Sequence, residues 1–331
     1  QTAEQSGPCG ACHTFHRYAR MPDPQPHDPT GLCTTCHQAD SCASKVDFTA
    51  PGHPYNVSAD QLPDNVSLHV FPRPDGQGKV IACLTCHNPH QATNRFFLNK
   101  PQPQLCAECH TGMATSMSGG HELIGLDARN IDGRTPAEAG KCGFCHTMHE
   151  AKGPALWAAT ADPPQTADGL CTNCHRQDGL AARLPESKLR HPTGPETVEA
   201  AARLTTDLPL KDGQVSCSSC HDPHGDAKAA PALLRDGPKT ANLCVDCHRE
   251  PAGLAHGYHD ITRRPDAWPA PSRDQADVCM SCHQVHSNDE ARGLWTMTPA
   301  KDYAQSDGVC LSCHTHVEWS GHGVRPAEPG P

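Results

Sequence analysis

Aromatic side chains make up only 4% of this 331-residue chain, as 4 Trp, 4 Tyr and 6 Phe. Apolar residues of every kind reach just 36%. A chain of this length would ordinarily form two or three domains around apolar cores, and it carries too little material to build them. No apolar run approaches the roughly 18 residues a bilayer-spanning helix needs, so no transmembrane segment of its own is expected. Basic residues are also scarce, with 27 Lys and Arg against 37 Asp and Glu and a formal net charge of −10. That balance argues against a nucleic-acid surface, and no run of like charge suggests a tail. Together with 32 Pro and 27 Gly, the composition leans toward disorder unless something other than side chains supplies the core.

What the chain has instead is 21 Cys and 24 His. Twenty of the cysteines fall in ten copies of Cys-x-x-Cys-His. The copies are Cys9, Cys12 and His13; Cys33, Cys36 and His37; Cys83, Cys86 and His87; Cys106, Cys109 and His110; and Cys142, Cys145 and His146. The second half holds Cys171, Cys174 and His175; Cys217, Cys220 and His221; Cys244, Cys247 and His248; Cys279, Cys282 and His283; and Cys310, Cys313 and His314. Two thiols so spaced add to the two vinyl groups of a haem, and the adjacent imidazole ligates its iron. A Cys-x-x-Cys pair alone also suits zinc or thiol redox chemistry. A His directly after all ten pairs, where only about one residue in fourteen is His, selects haem.

Ten covalently bound haem c groups, each holding one Fe, are therefore expected, one per 33 or so residues. Rigid apolar macrocycles at that density would themselves be the core, inside a thin polypeptide sleeve. The fold class expected is mostly irregular, with short α-helical turns at the motifs, Pro/Gly loops and almost no sheet. The haem-free chain should not fold. Haem propionates add negative charge, so many Lys and Arg are expected to engage them. Attachment of haem to this motif takes place outside the cytoplasm. An extracytoplasmic protein follows, periplasmic, outer-membrane-associated or extracellular. The start at Gln1, without a charged and apolar leader or a lipid-anchored Cys, reads as a mature form whose signal peptide has been removed.

The motifs fall into five pairs, with 24, 23, 29, 27 and 31 residues between first cysteines. Five tandem two-haem modules are drawn at 1–57, 58–126, 127–195, 196–262 and 263–331, as one continuous haem chain rather than independent domains. The first motif of each pair continues to a second His three residues on, namely His16, His90, His149, His224 and His286. The second motif never does; a later His follows it, at His53, His121, His191, His259 and His322. Between the two motifs an apolar residue recurs, at Leu98, Trp157, Leu234 and Trp295, and is read as packing on haem faces. Steps of 74, 59, 75 and 62 residues between modules alternate, so a block of about 135 residues repeats two and a half times. A linear array of this kind is expected to be elongated, with modules touching mainly their neighbours.

Ten motif histidines serve as proximal ligands, and the two sets of five fill the ten distal sites. His27, His69, His256 and His316 are left over. A His three residues past the proximal one lies on the same side of the haem plane. It cannot reach the far face of its own iron and must serve a different haem. In Asn88-Pro89-His90 and Asp222-Pro223-His224 the Pro favours a turn over continuous helix. His259 is preferred to His256 because it shares the 11-residue spacing of His121, and His316 competes with His322. The six Met recur at no fixed place, so all ten haems are expected to be bis-His and of low potential. With no open iron, no enzymatic reaction is expected. The odd cysteine, Cys42, is read as a tolerated thiol rather than an intermolecular bridge.

The stretches LTCHNPH, LNKPQPQLCAECH, VSCSSCHDPHGD and LLRDGPKTANLCVDCH resemble the doubled Cys-x-x-Cys-His family of multihaem cytochromes. They are especially close to the decahaem cytochromes of metal-reducing bacteria. Those proteins thread an outer-membrane porin and carry electrons from periplasm to surface; related ones are periplasmic shuttles or subunits of extracellular cytochrome filaments. The resemblance implies bis-His haems in one staggered chain that conducts electrons in anaerobic respiration and extracellular electron transfer. Its partners would be a redox donor and acceptor at the chain ends, with an outer-membrane porin or copies of itself as scaffolds. The alternatives are a filament subunit and, behind it, a multihaem reductase of nitrite or tetrathionate.

Overall fold

The computed structural model describes residues 30–34, 36–37, 52–53, 61–73, 76–91, 93–114, 121, 129–130, 133–158, 168–175, 191–202, 206–225, 233–235, 240–249, 259, 279–280, 282–286, 317–320 and 323–326. The motifs at Cys9, Cys12 and His13 and at Cys310, Cys313 and His314 lie outside the described residues. So do His16, Cys42, His322, Trp295, His27, His256 and His316. Two compact units are present, one of residues 1–117 and 122–160, the other of residues 118–121 and 161–331.

Most of the described chain is loop, with helices of only four to six residues, such as Cys83–Cys86, Gln102–Ala107, Cys217–Cys220 and Thr240–Val245. The motifs set that length. In all eight described copies the histidine N–H donates to the carbonyl of the first cysteine at 2.8–2.9 Å, one α-turn. After the first motif of modules two and four the backbone at once becomes extended, at His87 (φ −111°, ψ 142°) and His221 (φ −109°, ψ 140°).

Among the described residues, sheet is confined to two short hairpins. Strand β1 (Phe71–Pro72) pairs antiparallel with β2 (Lys79–Val80), and β3 (Val317–Ser320) with β4 (Gly323–Pro326). The turn between β1 and β2 uses Gly76 and Gly78 at φ of 73° and 90°, a region open to glycine. This hairpin carries the first apolar cluster, Phe71, Val80 and Ala82 with Leu84 packed on it, directly against the motif at Cys83. A second cluster joins Ala139 and Phe144 to Cys145 of the next module. Both cores are a few side chains wide and sit under cysteines, as a chain short of aromatics requires. Among the described residues of the second unit the buried set is partly polar, with Ala201, Leu233 and Leu243 as well as Thr197, Ser216 and Ser219.

The helix Pro136–Ala139 leads into the motif at Cys142 and is closed by a capping box. Thr135 Oγ1 accepts from the Glu138 N–H at 3.3 Å, and Glu138 Oε2 accepts from the Thr135 N–H at 2.8 Å. Arg129 lies 3.8 Å from the same carboxylate. Chiefly the backbone bond from Thr135, then its hydroxyl and the arginines, hold the Glu138 carboxyl below its ordinary 4.5. A depressed carboxyl stabilises the fold above its unfolded pKa and loses that contribution as pH falls through the folded value. Acid titration of the holoprotein, followed by near-UV and Soret circular dichroism, is therefore expected to show a loss beginning below pH 4.5. The part due to Glu138 should be absent from Glu138→Gln.

Candidate haem-ligating site

The first motifs of modules two, three and four are each clamped to their own linker in the same way. His87 bridges Leu98, His146 bridges Trp157 and His221 bridges Leu234, residue for residue at the recurring apolar position. The residue after the histidine donates its N–H back to the linker: Asn88 to Phe97 O at 2.6 Å, Thr147 to Leu156 O at 2.8 Å, and Asp222 to Leu233 O at 2.7 Å. The residue after the apolar one donates to the second cysteine's carbonyl, as Asn99 to Cys86, Ala158 to Cys145 and Arg235 to Cys220, at 2.8–2.9 Å. The Trp157 ring meets His146 edge-on at 5.7 Å.

The clamp also fixes the imidazole. The carbonyls of Phe96 and Ala155 each lie 2.8 Å from Nδ1 of His87 and His146. A carbonyl can only accept, so Nδ1 carries the proton and Nε2 keeps its lone pair for a metal. Farther along, Asn88 Oδ1 and Asp222 Oδ1 accept from the N–H of His90 and His224 at 3.0 Å, making the turn that Asn-Pro and Asp-Pro announce.

Imidazoles from successive modules then meet in pairs. His53 faces His110 at 6.2 Å between ring centres, His121 faces His175 at 6.1 Å, and His191 faces His248 at 6.0 Å. His87 faces His149 at 6.2 Å and His221 faces His286 at 5.7 Å. Every pair joins a motif histidine to one from another module, 54 to 65 residues away. An imidazole nitrogen binds a transition metal at about 2.0 Å. With the ring centre about 1.1 Å beyond the nitrogen, two rings on opposite faces of one metal have centres about 6 Å apart. The pairs fit a haem iron between them. They do not fit the zinc alternative: among the described residues no three His, Cys, Asp or Glu converge on one point. Burial, more than the facing ring, lowers the pKa of His149, His191 and His286 and favours the neutral, ligating form.

Three stretches, residues 75–115, 135–180 and 208–253, match the family model of the doubled CXXCH motif. The multiheme cytochrome MtrA of Shewanella baltica (strain OS185) is 24% identical over 262 residues, 73% of this chain and 68% of that protein. This is a doubled-CXXCH multihaem c-type cytochrome. No solved structure matches the chain.

The matched stretches take in the second, third and fourth motif pairs, and these are also the modules whose clamps repeat. In the cytochrome the motif cysteines hold haem c by thioether bonds. Cysteine side chains of different motifs lie side by side, Cys106 beside Cys142 and Cys171 beside Cys217, so attachment points of successive modules adjoin. Asp168 Oδ1 accepts from the Cys217 N–H at 2.7 Å across the second of these junctions. Across the first, Gln102 Oε1 accepts from the Gly143 N–H at 3.0 Å.

Contacts also reach past the neighbouring module, which the simple array does not anticipate. The N–H of His53 donates to Met148 O at 2.7 Å, and that of His191 to Val285 O at 2.8 Å. His121 Nδ1–H donates to Pro223 O at 3.2 Å. Each acceptor is the residue just before a His149-type histidine, two modules on. The spacing of the motifs carries no trace of this register, because nothing local encodes it. Of the histidines left over by ligand counting, His69 is exposed and meets Phe71 of the hairpin edge-on at 4.5 Å. Lys100, Arg129 and Arg235 pair with Glu108, Glu138 and Asp222.

Gly143 has no room for a side chain, since a Cβ would lie 2.6 Å from Gln102 Nε2 and press on the Ala139 carbonyl. Gly143→Ala should displace Gln102 and cost about 1–3 kcal/mol, read as a lower thermal midpoint of the holoprotein. Gln102→Ala combined with it should recover part of that loss.

Proposed function

We propose that this cytochrome is a decahaem, non-catalytic electron conduit. Ten bis-His haems of low potential pass electrons from a redox donor at one end of the chain to an acceptor at the other. The setting is anaerobic respiration with extracellular electron transfer, and the protein is extracytoplasmic, in the periplasm or at the outer membrane, with a porin as its scaffold there. The resemblance to the decahaem cytochromes of metal-reducing bacteria supports this setting.

The observation that carries the reading is the set of five facing imidazole pairs at 5.7–6.2 Å. An iron held between two imidazoles has no position left for a substrate, so it exchanges electrons only. Adjoining attachment sulfurs, as at Cys106 and Cys142, support short hops between modules. Within this scheme the twenty motif cysteines attach haem and the ten motif histidines ligate the near face. The far face is taken by His16, His53, His90, His121, His149, His191, His224, His259, His286 and His322.

The test is intact mass spectrometry followed by exposure of the reduced protein to carbon monoxide. Ten haems per chain and an unchanged visible spectrum are expected. A carbon monoxide complex would reveal an open iron and return the reductase reading. Electron microscopy of the native protein should show discrete particles; fibres would replace the conduit with a filament subunit.

A further inference from the structure

The five imidazole pairs differ in a property that distance does not capture. His53 and His110 are inclined at 85°, His121 and His175 at 74°, and His191 and His248 at 85°. His87 and His149 are inclined at only 22°, and His221 and His286 at 23°. The division follows motif type without exception among these pairs. The perpendicular pairs belong to second motifs, whose partner is the later histidine of the preceding module. The near-parallel pairs belong to first motifs, whose partner lies three residues past the proximal histidine of the following module.

We propose that the cytochrome carries two electronically distinct classes of ferric haem, one at first motifs with near-parallel axial imidazoles and one at second motifs with near-perpendicular ones. The inference rests on the bis-His reading. In low-spin ferric iron the unpaired electron occupies a pair of d orbitals that point above and below the macrocycle. Each imidazole donates π density into the one member of that pair lying perpendicular to its ring. Parallel rings both raise the same orbital, split the pair and quench orbital angular momentum. Perpendicular rings raise both members alike and leave them nearly degenerate, so orbital momentum survives and magnetic anisotropy is large. Axial-ligand geometry is one of the levers by which a protein sets haem electronics.

Rotation about an iron–nitrogen bond would average these classes if the rings were free, and they are not. His87 is held by the Phe96 carbonyl at 2.8 Å, in the parallel class. His121 and His191 are held by the carbonyls of Pro223 and Pro192, at 3.2 and 3.1 Å, in the perpendicular class.

Low-temperature EPR of the fully oxidised holoprotein, with haem loading verified by intact mass, tests this. Two low-spin signals are expected: a rhombic one with resolved g values, and a highly anisotropic one whose largest g feature is displaced to low field. His149→Ala should remove one haem's intensity from the rhombic signal, and His191→Ala one haem's intensity from the anisotropic signal. A single low-spin class in the unmodified protein overturns the inference while leaving bis-His ligation standing. Loss from the opposite class in either variant overturns it as well. An appreciable high-spin signal in the unmodified protein overturns the bis-His reading, and this inference with it. The unmodified spectrum decides the matter if a variant does not load haem.

Discussion

A single α-turn, from the first cysteine's carbonyl to the histidine N–H, is the constraint on which the rest of this structure depends. Its 2.8–2.9 Å hydrogen bond recurs in every described motif. That turn gathers two thiols and one imidazole on one side of a macrocycle and commits them to one face of its iron. Nothing within three residues can reach the other face. In the proposed bis-His scheme the second imidazole has to be imported, and the longer-range contacts are the means of importing it. His149 is delivered to His87 and His286 to His221 from the next module's turn. His53, His121 and His191 arrive from the module before.

A thin sleeve can hold such a ligand only if its backbone is fixed locally, and the linker clamp does that at a conformational cost. Phe96, Phe97, Ala155, Leu156 and Leu233 all sit at φ between 53° and 59°, where residues other than glycine are disfavoured by about 1–2 kcal/mol each. The strain falls at the same structural place in three modules. It turns the Phe96 and Ala155 carbonyls onto Nδ1 of the proximal imidazoles and sets the following apolar residue across from the histidine. The Phe96 ring, half exposed, is covered by the guanidinium groups of Arg95 and Arg134 at 4.8 and 5.5 Å.

The haem-binding turns, the sparse sheet and the recurrence of Leu98, Trp157 and Leu234 were legible in the sequence, because each is written within one module, whereas the bridge of those three residues to the motif histidine was not. The Asn-Pro and Asp-Pro turns were legible for the same reason. The left-handed residues were not, since glycine is their usual sign and the positions hold Phe, Ala and Leu. Nor was the partner of any one imidazole. Counting balances ten near-face against ten far-face histidines in many different pairings. The choice among them depends on contacts 54 to 65 residues apart. Ring inclination is more remote still, because it is set by which carbonyl meets Nδ1.

The register changes what a module is. The family model's unit is a pair of motifs, and as a sequence repeat that unit is sound. As a physical unit it is incomplete. The histidine that closes a second-motif pair comes from one module back, and its backbone is tied to a turn two modules ahead of its own, as His53 is to Met148. Repeat arrays whose energetics are nearest-neighbour sums can nucleate anywhere and lose end units cheaply. An interlaced array cannot, because removing one module takes the facing imidazole from two others. The interlacing also has no driving force of its own. Two neutral imidazoles 6 Å apart, partly desolvated as His149, His191 and His286 are, attract each other little and lose water contacts on approach. In the proposed scheme an iron between them would supply what the chain does not, so long-range order should follow haem attachment rather than precede it, and the few apolar side chains at Phe71, Val80 and Phe144 need only orient the motifs locally.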